Sequence, residues 1–156
     1  MNELAEKLLE LSLAKDVWIA TAESCTAGLI AGEITSVAGS SAIFDRGFVT
    51  YTNAAKIEML GVLPETLDEF GAVSEETARE MAEGALERSN ANVTISVTGI
   101  AGPGGSDFKP EGRVCFGLAT KSAKPIVRTV EFGAVGRNNV RRLTVEYALG
   151  MLIENL

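Results

Sequence analysis

Short apolar runs alternate along this chain with stretches whose apolar residues recur at helical spacing, and that alternation limits the fold more than any other feature. Residues 17–21 (VWIAT), 43–51 (IFDRGFVTY) and 93–98 (VTISVT) are strand-sized and rich in β-branched or aromatic side chains. Between them, Leu4, Leu8 and Leu11 set an amphipathic helix over 3–14, and 29–37 (LIAGEITSV) returns to helical periodicity. Strands that alternate with helices predict a three-layer α/β/α sandwich, because each helix must bury its apolar stripe against a sheet.

Further breaks refine this reading. Gly39–Ser41 reads as a loop, Asn53 as a cap for a helix over 54–60, and Pro64 as the start of a helical turn that Gly71 ends after Phe70. Ser74, followed by Glu75 and Glu76, opens a strong helix through Arg88. Residues 112–120 and 126–132 read as two strands joined by a tight turn over 121–125, an antiparallel pair that makes the otherwise mostly parallel sheet mixed. A long amphipathic helix over 136–156 closes the chain. With 156 residues and no linker or repeat, 1–156 is expected to form one domain.

Composition removes whole classes of chemistry. There is no histidine, which excludes Ser-His-Asp and Cys-His mechanisms and every histidine-dependent metal site. Any proton acceptor must be Lys, Asp, Glu, Tyr or water. Cys25 and Cys115 lie far apart without a CxxC pairing, as expected of free thiols in a reducing compartment. The net charge of −7 argues against nucleic acid as a partner, although a few local groups can still hold one small phosphorylated ligand. No run is long and apolar enough to span a bilayer, and the acidic, leucine-rich start does not resemble a secretion signal. A cytoplasmic location is expected, and no membrane partner. The apolar residues of the last helix (Tyr147, Leu149, Met151, Leu152, Ile153) suggest a homo-oligomer.

Five groups could carry chemistry. Ser24 falls where a buried strand turns into a helix that it opens, so the backbone N–H groups and positive end of that helix could activate it and stabilise an oxyanion, or it could simply cap that helix. Cys25 is a rival nucleophile, with Glu23 nearby, but adjacent residues point different ways and Cys25 is expected to pack inward. Lys56 lies among Ala54, Ala55, Ile57 and Met59. Such a lysine, if kept dry, loses its proton readily and can act as a base; a solvated helix lysine is the alternative. The glycines of 99–106 (GIAGPGGS) could wrap a phosphate or belong to a mobile loop, with Thr98 just before them. Arg137, Arg141 and Arg142 form a cationic cluster suited to phosphate, or a solvated face.

Taken together, 22–28 (AESCTAG), 36–56 (SVAGSSAIFDRGFVTYTNAAK), 70–82 (FGAVSEETAREMA) and 98–105 (TGIAGPGG) resemble the C-terminal domain of the CinA (competence- and damage-inducible) proteins, in order and over nearly the whole chain. The resemblance implies an amidohydrolase that converts nicotinamide mononucleotide and water to nicotinate mononucleotide and ammonia, with a serine, a lysine and no metal or cofactor. By position it implies Ser24 as nucleophile, Lys56 as base, and Tyr51 and Thr98 in supporting catalytic roles. Thr26, Asn53, Gly99, Gly102 and Arg141 or Arg142 are the expected substrate-binding residues. Thr52 and Ala27 replace the Ser and Gly that relatives often carry.

Overall fold

A computed structural model describes residues 2–156. The chain runs α1 (Asn2–Lys15), β1 (Ile19–Glu23), α2 (Leu29–Ile34), β2 (Phe44–Val49), α3 (Asn53–Leu60), α4 (Pro64–Phe70), α5 (Glu75–Glu87), β3 (Val93–Gly99), β4 (Arg113–Thr120), β5 (Ala123–Glu131) and α6 (Arg137–Glu154). The sheet order is β2-β1-β3-β4-β5. β1 pairs in parallel with both β2 and β3, whereas β3–β4 and β4–β5 are antiparallel, so the sheet is mixed and only β4 runs against the rest. Helices α1, α2 and α6 cover one face and α3, α4 and α5 the other.

The sequence of β3 shows how the two faces are built. Val93, Ile95 and Val97 join the larger core with Leu8, Ile30, Phe116 and Leu149. The intervening hydroxyl residues face the other way, and each donates to a carbonyl: Thr94 to Ala82, Ser96 to Ala78 and Thr98 to Ala72. Period-two alternation thus seats an apolar layer on one side and a hydroxyl ladder under α5 on the other. Gly117 completes that close approach, because a Cβ there would lie 2.5 Å from the Ala78 carbonyl oxygen.

Several local expectations shift. Thr52, not Asn53, caps α3, its hydroxyl accepting from the Ala55 N–H at 3.0 Å; Asn53 is the first helical residue. Ser40–Ala42 forms a short 3-10 turn within the expected loop. The β4–β5 turn is tighter than expected, since β5 already starts at Ala123 and takes in Pro125. Ser74 caps α5 as expected, accepting from the Thr77 N–H. The apolar side of α6 is spent inside the chain: Leu149, Met151 and Leu152 are buried, and Tyr147 stacks against Phe116 with centroids 4.6 Å apart. No described helix is long and apolar enough to cross a membrane.

The connections part at β1. From its C-terminal end the chain passes through α2 on one face to β2, and it returns through α3, α4 and α5 on the other face to β3. In open α/β sheets the crevice beyond such a switch point is where ligands bind. Ser24 is the first residue past that strand end.

Candidate functional site

A cleft of about 380 Å³ opens at the switch point, within the usual range for small-molecule sites. Its walls come from five segments: Ser24 and Cys25 after β1, Tyr51 to Lys56 at the start of α3, Ala72 and Val73 between α4 and α5, the 98–106 stretch, and Arg137 at the start of α6. No carboxylate lines it, although the chain carries a net charge of −7. The cations Lys56 and Arg137 are therefore uncompensated by lining acids, which suits an anionic ligand.

At its centre are Ser24 and Lys56. Helix α3 turns the Lys56 side chain under the end of β1, where it is only 1% exposed. Lys56 Nζ lies 3.0 Å from Ser24 Oγ, 3.0 Å from the Thr50 carbonyl oxygen and 3.2 Å from that of Tyr51. Burial in an apolar setting disfavours the ammonium and brings the Lys56 pKa down to about 8. A neutral amine has two N–H bonds and one lone pair. As the ammonium, Lys56 donates to Ser24 Oγ and to both carbonyls, while the Ser24 hydroxyl donates to the Tyr51 carbonyl at 3.4 Å; once neutral, Lys56 keeps its two N–H bonds on the carbonyls and turns its lone pair to the Ser24 proton. The Thr50–Tyr51 backbone thus orients the base as well as burying it.

Ser24 does not open a helix directly. Residues 25–28 form a turn first, with Ala27 at φ 46° and Gly28 at φ 97°, and α2 begins at Leu29. The helix start is occupied by the Glu23 carboxylate, which accepts from the Gly28, Ile30 and Ala31 N–H groups. It is therefore not open to an oxyanion. The N–H of Cys25, which lines the cleft, finds no acceptor oxygen among the described residues, so the turn itself offers a donor next to the nucleophile. Cys25 packs inward with the core, and burial pushes its thiol up to about 11, far from the thiolate a nucleophile requires.

The remaining expected residues divide. Asn53, Thr98, Gly99 and Gly102 line the cleft. The Thr98 hydroxyl is already engaged with the Ala72 carbonyl, at 2.8 Å. The exposed Tyr51 side chain also lines the cleft, but its hydroxyl accepts from Arg137 at 2.9 Å and only its main-chain oxygen meets Lys56. Thr26 is fully buried with its hydroxyl on Glu23 at 2.7 Å, and it does not line the cleft. Arg141 and Arg142 do not line it either. Arg141 donates to the Cys25 carbonyl and so braces the turn from behind, while Arg142 pairs with Glu146 one helical turn on.

The arginine that reaches the cleft is Arg137, whose guanidinium bridges the Gly102 carbonyl and the Tyr51 hydroxyl. Its place at the first residue of α6, after Gly136, was the available signal: a helix-initial residue projects beyond the helix end, towards the strand ends. Asp45 and Arg46 pair with each other on β2, outside the lining, and Asp107 is outside it too. Among the described residues no three acidic or thiol side chains converge as a metal-ligand set.

Comparison with known proteins identifies the family. The family model of the CinA C-terminal domain matches residues 1–156. The chain is 49% identical over 150 residues to a nicotinamide-nucleotide amidohydrolase PncC of Enterobacter agglomerans, covering 96% of this chain and 91% of that protein. It is 50% identical over 157 residues to a CinA-like protein of Chloroherpeton thalassium, covering 98% of this chain but only 37% of that longer protein. Among solved structures, the competence/damage inducible protein CihA from Agrobacterium tumefaciens superposes with a TM-score of 0.95 at 51% identity, covering 98% of this chain and 93% of that one. With the family matched along its full length and the fold shared with its solved members, this chain belongs to the CinA C-terminal domain family.

Proposed function

We propose that this chain is a cytoplasmic amidohydrolase that converts nicotinamide mononucleotide and water to nicotinate mononucleotide and ammonia, in pyridine nucleotide recycling. The observation that carries this reading is the buried Lys56 Nζ, 3.0 Å from Ser24 Oγ, with its two N–H bonds absorbed by carbonyls and its pKa brought down to about 8. The name carried by the Enterobacter relative supports the substrate, as does a cleft that Arg137 lines without any acid among the described residues.

In this mechanism Lys56 takes the Ser24 proton as Oγ bonds to the carboxamide carbon. The N–H of Cys25, beside Ser24 on the cleft wall, receives the developing oxyanion. Lys56 then returns the proton to the departing nitrogen, the C–N bond breaks and ammonia leaves. Water, deprotonated by the same amine, attacks the acyl-enzyme; the C–Oγ bond breaks and Ser24 regains its proton. Arg137 and the N–H groups of Ala101, Gly102 and Gly105, which have no acceptor among the described residues, hold the phosphate, while Tyr51 and Asn53 flank the nucleoside. The test is ammonia release from nicotinamide mononucleotide by the wild type and by Ser24→Ala. Release that disappears in the variant supports the serine mechanism, and equal release by both proteins overturns it.

A further inference from the structure

Glu23 is a buried acid with no cationic partner among the described residues. It is 1% exposed, and its carboxylate accepts four hydrogen bonds: from Thr26 Oγ1 at 2.7 Å, Gly28 N at 3.2 Å and Ile30 N at 2.9 Å on Oε1, and from Ala31 N at 3.0 Å on Oε2. Three of the four donors are backbone N–H groups, at the last residue of the turn and in the first turn of α2, while Thr26 Oγ1 adds a contact from within the turn. Gly28, the cap residue of α2, supplies no side chain of its own, so Glu23 reaches forward to do the capping.

The main chain of Glu23 is held as firmly as its carboxylate. It lies in register between Val49 of β2 and Val97 of β3, its carbonyl accepts from the Thr50 N–H, and the next N–H, that of Ser24, donates to the Val97 carbonyl. Ser24 is thus gripped on its N-terminal side by the sheet and on its C-terminal side by a turn that the carboxylate ties. That turn places Ala27, a residue with a Cβ, at φ 46° in the left-handed region, which costs roughly 1 kcal/mol or more. The four acceptor contacts offset that cost.

We infer that Glu23 is a positioning residue for the hydrolytic reaction: by tying the 24–28 turn it aims Ser24 Oγ at Lys56 and keeps the Cys25 N–H turned to the cleft for the oxyanion. This rests on the serine-lysine reading above. Substrate never meets Glu23, since it does not line the cleft. Its chemistry is nevertheless specific. A glutamine of the same shape has one acceptor oxygen and one NH2 group, so it must present donors to either the Ala31 N–H or the cluster on Oε1.

The test compares Glu23→Gln and Glu23→Asp with wild type, and with Leu8→Ala as a destabilised control in the core outside the cleft lining. Assayed well below each melting temperature, Glu23→Gln should lose about 10- to 100-fold in kcat while KM stays within about threefold, because a misplacement near 1 Å is that costly. The acid limb of its pH profile should keep its midpoint, since the base is untouched. Leu8→Ala should melt earlier with kcat unchanged, and Glu23→Asp should fall between wild type and Glu23→Gln. A fluorophosphonate probe read by intact mass gives the rate of Ser24 labelling without any assumption about substrate, and that rate should fall in parallel with kcat. A folded Glu23→Gln with wild-type kcat and wild-type probe labelling overturns the inference. Probe labelling without ammonia release in the wild type overturns the substrate assignment instead, and the labelling rates still decide the role of Glu23.

Discussion

The ionisation of Lys56 can be followed directly in the pH dependence of activity. An ordinary lysine titrates near 10.4, so at neutral pH only about 0.04% of it is neutral; with the pKa brought to about 8, that fraction rises to about 10%. Burial therefore supplies a gain of a few hundredfold in competent base at neutral pH, equivalent to about 3 kcal/mol. Because only the neutral amine can accept the Ser24 proton, kcat/KM should climb about tenfold per pH unit on the acid side and flatten above about pH 8. The measurement is initial-rate ammonia release at low substrate in overlapping buffers, with enzyme integrity checked at each end of the range. The same shift predicts the sign of a stability effect. The folded pKa lies below the unfolded one, so between about 8 and the ordinary lysine value the unfolded chain binds more protons, and this group makes stability rise with pH. Below that window both states are protonated, and the group contributes no slope. A kcat/KM that is flat across the acid side, or one that keeps rising to the ordinary lysine range, would refute the idea that a dry Lys56 is the base.

Three further outcomes follow from the geometry. Arg137→Ala should raise KM for the mononucleotide by about tenfold or more with little change in kcat, as expected for loss of a charge-assisted contact to phosphate; a kcat loss at constant KM would count against it. Cys25→Ala should retain activity, and iodoacetamide should leave the folded wild-type thiol unmodified at neutral pH, because burial holds that pKa up at about 11. Gly84→Ala should destabilise the protein by about 1–3 kcal/mol in thermal unfolding, since the added Cβ would lie 1.9 Å from the Leu60 carbonyl oxygen. Elsewhere in a helix the same change stabilises by up to about 1 kcal/mol, so the sign itself tests the packing of α5 on α3.

Much of the fold was readable from local pattern, because helices and strands have different periods and their apolar faces follow them. The alternation of β-branched runs with amphipathic stretches predicted the layered α/β/α arrangement, and Ser74 before Glu75 and Glu76 predicted the start of α5. The absence of histidine restricted the base to a few residue types, and the 22–28 and 36–56 motifs pointed to Ser24 and Lys56. What tertiary structure alone decided is how distant residues meet. No spacing shows that Lys56 is buried, since its dryness comes from packing beneath β1 and its orientation from the Thr50 and Tyr51 carbonyls. Nor can periodicity choose among three arginines at the start of one helix. Arg137 reaches the cleft because it projects past the end of α6, Arg141 turns to the Cys25 carbonyl behind the turn, and Arg142 stays with Glu146. Glu23 and Thr26 look like site residues by proximity in sequence, yet strand alternation and a left-handed turn send both side chains into the interior. Sequence thus determined the chemical groups and the elements that carry them, while the direction of each side chain depended on close packing between elements far apart along the chain.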